Sequence, residues 1–138
     1  MPLFLDGDDC GRKSFAKART DGFVDTPDVT FASVLGMKES ELEDLYDPDF
    51  YKALVLNQYR VAVDSPQFKG KRKWSDRMAN VFTISGRHWD YHVKAEVKMK
   101  IANLVASDPK NALHQHRRGP FDSLAQTLVG QLTEPIEN

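Results

Sequence analysis

Residues 2–18 read PLFLDGDDCGRKSFAKA, and the way this stretch divides decides the fold. The apolar run Leu3-Phe4-Leu5 stops abruptly at Asp6-Gly7-Asp8-Asp9, which suits a short buried strand better than a helix. From Asp9 to about Arg19 the pattern turns helical, with Phe15, Ala16 and Ala18 along it and Asp9 in the N-cap position. Asp21-Gly22 breaks that helix, and residues 29–35, VTFASVL, form the next β-type run. Strand, helix and strand in so short a span make a βαβ unit, so the strands are expected to be parallel with a right-handed crossover.

Behind this front the pattern becomes helical. Asp47-Pro48 is a cap followed by an N1 proline, and Phe50, Leu54, Val55 and Tyr59 supply a helical stripe. The basic run FKGKRKW, residues 68–74, leads into a helix predicted over 75–82. The longest helix is predicted over 90–105, with Val93, Val97, Ile101, Leu104 and Val105 on one face and Ser107-Asp108-Pro109 as its stop. Pro120 is placed to open a last helix carrying Phe121, Leu124, Leu128 and Leu132, before a frayed TEPIEN tail. The expected class is α/β. Residues 1–47 form the front, and residues 48–138 form a mainly helical C-terminal region packed on it.

Composition narrows the function classes. The 138 residues are 41% hydrophobic and 28% charged, which is ordinary for a globular chain. The formal net charge is −1, so a nucleic-acid role must rest on local basic patches or on metal ions. Cys10 is the single cysteine, which excludes an intrachain disulfide and fits a reducing compartment. No apolar stretch approaches the roughly 20 residues needed to span a bilayer. The opening MPLFLDGDD lacks the basic start of a signal peptide. A cytoplasmic location with no membrane partner is expected.

Chemistry concentrates at the strand end. Residues i and i+2 of a strand share a side, so Asp6 and Asp8 converge where the strand runs out. Two hard carboxylates that close repel unless a cation lies between them, and Mg²⁺ or Mn²⁺ is the usual solution. Ligand sites of parallel α/β folds lie beyond the carboxyl ends of the strands, which is where these residues fall. Gly7 is expected to let the backbone turn tightly, and Gly11 to seat the helix closely. Taken alone, DGDD reads equally well as a polar loop with a helix cap.

LFLDGDDCGRKSFAKA resembles the DxD motif of the Toprim domain of topoisomerases, bacterial primases and nucleases of the OLD (overcoming lysogenization defect) family. Haloacid-dehalogenase-like phosphatases fit less well, since they want Thr or Val where Cys10 stands. SELEDLYDPDFY, residues 40–51, resembles the turn after the next strand in OLD-like ATP-dependent endonucleases and argues against a primase or topoisomerase fragment. The resemblance implies a partial Toprim, Rossmann-like sheet. It implies that Asp6 and Asp8 bind one metal and that Glu43, with Asp44 beside it, serves a second metal position. Without the neighbouring DxD, Glu39, Glu41 and Glu43 would read as a solvated acidic turn.

The long helix adds a cation. Lys100 has Glu96, Asn103 and Ser107 as helical neighbours and belongs to a wet face, whereas Lys98 faces Ile101, Ala102 and Val105 and must snorkel or find a partner. Lys98-x-x-x-Ala102 resembles the late-helix lysine of OLD-like nucleases, which implies that Lys98 stabilises phosphate charge, with Lys94 in reserve. Lys69, Lys71, Arg72, Lys73 and Trp74 resemble the basic segment between these motifs. The resemblance implies DNA contacts there, at Lys71, Arg72 and Lys73 above all. His114 and His116 match no metal pattern.

The resemblance thus implies the C-terminal part of a DNA endonuclease that cleaves phosphodiesters with two ions, Mg²⁺ or Mn²⁺. The family also needs a glutamate on an earlier strand, and only five residues precede Asp6. That acid is expected upstream in an intact protein that includes the N-terminal Toprim and ATPase portion, or on another chain. An unpaired strand edge also implies self-association as a homo-oligomer. The alternative is a non-catalytic, Toprim-derived module for dimerisation or partner binding.

Overall fold

The computed structural model describes residues 3–22 and 29–120, together with 122, 125, 126, 128 and 129. The chain is mixed α/β and mostly helical, with a two-stranded parallel sheet. Strand β1 (Leu3–Leu5), helix α1 (Asp9–Thr20) and strand β2 (Val29–Phe31) make the βαβ unit, in a register that pairs Leu3 with Val29 and Leu5 with Phe31.

β2 is shorter than the apolar run 29–35. The N–H of Ala32 still donates to Leu5 O at 2.7 Å, after which the chain turns at Val34–Met37. It returns to the front through an antiparallel bridge in which Ser40 N–H donates to Gly7 O at 3.0 Å. Gly7 is needed for this approach rather than for a left-handed turn, because a Cβ there would lie 1.9 Å from the carbonyl oxygen of Ala32. Gly11 seats α1 in the same way, its absent Cβ being 1.9 Å from Asp6 O.

The cap of α1 is Asp8, not Asp9. Asp8 has extended backbone and accepts from Gly11 N–H at 2.8 Å, while Asp9 is the exposed first helical residue. β1 is half-buried rather than buried. The sheet has two strands among the described residues, and Phe15 of α1 meets Phe31 edge-on at 5.8 Å.

The core lies instead among the rear helices: α2 (Pro48–Tyr59), α3 (Trp74–Ile84), α4 (Tyr91–Ser107) and the short α5 (Pro109–Ala112). Asp47 caps α2 with Pro48 at N1, and α2 ends on Arg60 in the left-handed region at φ 59°. Asp90 caps α4, accepting from Val93 N–H at 2.8 Å. Tyr51, Val55, Val61, Phe68, Trp74, Met78, Phe82, Val97 and Ile101 are buried together. Val93, Leu104 and Val105 flank them, so the apolar stripe of α4 faces this core. Burying each large side chain contributes about 1.5–3 kcal/mol. Trp89 closes one side, its ring 4.7 Å from that of Phe82.

Beyond α5, Pro120 is helical and Leu128 is exposed, while Phe121, Leu124, Leu132 and the TEPIEN tail lie outside the described residues. Among the described residues no helix is long and apolar enough to cross a membrane.

Gly11→Ala is expected to lower stability by about 1–3 kcal/mol, because the methyl must displace α1 from β1. Gly119→Ala, where a Cβ meets open space at a helical position, serves as the control and should not lower the urea midpoint.

Candidate metal centre

The Gly7–Ser40 bridge carries the chain directly into Glu41, and so sets the acidic turn against the end of β1. Asp6 locks the junction, its Oδ1 accepting from Leu42 N–H at 2.7 Å. One carboxylate oxygen each from Asp6, Asp8 and Glu41 lies within 4.8 Å of the others. Asp6 and Asp8 each spend Oδ1 on a backbone N–H, while their second oxygens face lysines. Lys98 Nζ is 3.7 Å from Asp6 Oδ2, and Lys73 Nζ is 3.1 Å from Asp8 Oδ2.

Glu41 does two jobs. Its Oε2 accepts from Ser75 N–H at 2.6 Å, and its Oε1 accepts from Lys98 Nζ at 3.0 Å and from the Ser75 hydroxyl. Burial pushes the Glu41 carboxyl up, but the Ser75 hydroxyl and N–H and the Lys98 ammonium together hold it below the usual range. Asp44, fully buried, accepts from Glu41 N–H at 2.8 Å and Trp74 N–H at 3.0 Å, and its other oxygen takes a hydrogen bond from Arg77. Arg77 also donates to the carbonyls of Arg72 and Phe68, which completes its fork.

Glu43 is the least satisfied member. It is 7% exposed, and its Oε2 accepts no hydrogen bond, although Lys98 Nζ lies 3.5 Å away. Burial pushes the carboxyl up to about 7, with Asp6 and Glu41 adding to the rise and Lys98 opposing it. Burial on its own would lower Lys98, yet Glu43, Glu41 and Asp6 outweigh it and hold the ammonium above its ordinary range.

These groups fit a divalent cation. All four carboxylates are hard oxygen donors, as Mg²⁺ and Mn²⁺ prefer. With Asp6, Asp8, Glu41 and Glu43 ionised against Lys73 and Lys98, two negative charges remain in excess. The buried, unpartnered Glu43 Oε2 adds an acceptor that the protein leaves unmatched. The cluster of Asp6, Asp8 and Glu41 could therefore hold a metal ion.

The sequence-predicted residues divide. Asp6, Asp8, Glu43 and Lys98 meet in one place, joined by Glu41, which is not among the ligands expected from the sequence. The acidic turn is not solvated, since Glu41, Glu43 and Asp44 are all buried, and only Glu39 reaches outward, to Arg12 at 3.3 Å. Lys94 stays away, over the Tyr91 ring. Lys71 and Arg72 are exposed, with Arg72 3.7 Å from Asp76. Lys73 turns inward to Asp8, and Trp74 belongs to the core. His114 and His116 sit in a tight 3-10 turn, with His114 Nδ1 accepting from His116 N–H at 3.3 Å.

Compared with protein-family models, curated proteins and solved structures, the chain matches none.

Two measurements probe this electrostatic design. The folded metal-free state holds the Glu43 proton more tightly than the unfolded chain does, where a glutamate titrates near 4.3. Its stabilising contribution is therefore complete below about pH 4 and lost as pH rises through about 7. Relative to Glu43→Gln, the wild type should lose about 3 kcal/mol between those limits in urea titrations, and parallel pH profiles would contradict this. Arg77→Met strands the Asp44 carboxylate in the interior and should cost about 3–5 kcal/mol.

Proposed function

We propose that this chain is the C-terminal part of a metal-dependent DNA endonuclease of the OLD/Toprim type, hydrolysing phosphodiesters at the carboxylate centre with Mg²⁺ or Mn²⁺ in a two-metal arrangement. The observation that carries this reading is the convergence of Asp6, Asp8 and Glu41 beyond the ends of parallel strands, with Glu43 and Lys98 against them. Bound divalent ions would supply an activated water and screen phosphate charge. Asp6, Asp8 and Glu41 offer the oxygens that hold them. Glu43, poised near 7 in the metal-free protein, is able to take or release a proton at Oε2 close to neutral pH. Lys98 remains charged and neutralises a non-bridging phosphate oxygen. Lys71 and Arg72, exposed in the loop before α3, would take backbone phosphates, while Lys73 holds that loop to Asp8.

Mn²⁺ and Mg²⁺ titration by calorimetry tests the reading, with Asp6→Asn as the variant because asparagine keeps an acceptor for Leu42 N–H. Saturable binding by the wild type, reduced at least about tenfold in Asp6→Asn, is expected. Failure of the wild type to bind either ion would end the proposal. Plasmid nicking should be weak in the isolated chain, dependent on Mn²⁺ and abolished by EDTA. Nicking that survives both EDTA and Asp6→Asn would belong to some other centre.

A further inference from the structure

Lys98 Nζ lies 3.0 Å from Glu41 Oε1, 3.5 Å from Glu43 Oε2 and 3.7 Å from Asp6 Oδ2. Two of these residues, Asp6 and Glu41, belong to the trio that could hold a divalent ion. An ammonium and a divalent cation in one such cluster repel strongly at this range. The protein's own cation therefore stands beside the place a metal would take. It fits that place poorly. An ammonium has three N–H donors, yet of these three carboxylates only Glu41 accepts a hydrogen bond from Lys98, and buried Glu43 Oε2 is left without one. The arrangement neutralises charge without saturating the acceptors, as a replaceable counter-ion would. Lys98 also keeps a route outward, because its side chain is 27% exposed at the edge of α4.

We infer that Lys98 is a resident counter-ion, filling in for the divalent cation in the metal-free protein and displaced outward when the metal binds. The inference rests on the metal reading above and adds an order of events to it. Before metal binding, Lys98 is engaged by Asp6, Glu41 and Glu43 and cannot serve an anionic substrate. With a cation held by those carboxylates, the Lys98 ammonium would be free on its flexible stem to meet a phosphodiester. The centre is thus built to take the cation first and the phosphate second. Trp74 is a built-in reporter, since the ammonium lies 5.7 Å from its buried ring and leaves that ring when displaced.

The test compares Mn²⁺ affinity of the wild type, Lys98→Met and Lys98→Arg, followed by calorimetry and by tryptophan emission. Removing the competing charge should tighten Mn²⁺ binding at least about tenfold in Lys98→Met, and Lys98→Arg, which keeps the charge, should not tighten it. Equal or weaker binding by Lys98→Met overturns the inference and leaves the metal reading standing. Absence of saturable binding in the wild type and in Lys98→Met overturns both. A second measurement needs no variant: amine acetylation of the wild type, read residue by residue by mass spectrometry. Modification of Lys98 should accelerate several-fold on adding Mn²⁺, while a rate that is unchanged or slower overturns the displacement.

Discussion

The N-terminus of α3 depends on acids from elsewhere in the chain. A helix start leaves backbone N–H groups without partners, and Lys73, its N-cap residue, has no acceptor to offer. Asp44 and Glu41 provide the acceptors, taking the N–H groups of Trp74 and Ser75 respectively. These two contacts join the α/β front to the helical rear. They also explain why an acidic turn can be buried: its oxygens are matched by a helix end, whose partial positive charge favours them. Once that turn is docked, Glu43 is carried inside with it, and Lys73 is brought within reach of Asp8.

Two cations neutralise this turn in different ways. Arg77 spends its guanidinium on Asp44 and on two carbonyls and stacks over Phe68 at 4.3 Å, so it is fixed on every side. Lys98 is a point charge on a flexible stem among three carboxylates. The planar fork is the strut and the ammonium is the adjustable piece. The protein thus separates a permanent ion pair from a negotiable one within a single turn.

The helices were legible wherever a period or a cap repeated the same message. The stripe on α4 and the Asp47-Pro48 start of α2 come straight from spacing. Boundaries resting on one residue were less so: Asp8 and Asp9 are both good caps, and only the Gly11 N–H selects between them. β1 reads as a buried strand because its residues are apolar, but the main core formed among the rear helices and left it half-covered. The convergence of Asp6 with Asp8 was visible in their i, i+2 spacing. Glu41 was not, because the partners that bury it, Ser75 and Lys98, lie 34 and 57 residues further on. The basic run divides for a similar reason. Where α3 begins decides which lysine turns in, and that start is set by acids that no local pattern connects to it.

The separation of those partners along the chain also bears on how the molecule assembles. The contacts Asp6–Leu42, Glu41–Lys98 and Asp8–Lys73 close loops of 36, 57 and 65 residues. Loop closure costs more entropy as the intervening segment lengthens, so none of these contacts is cheap to close on its own. The packing of α2 against α4 also joins distant segments, and the start of α3 leans on Asp44 and Glu41. The cluster is thus complete only when segments from Asp6 to Lys98 are all in place, which makes it a reporter of long-range order across that span.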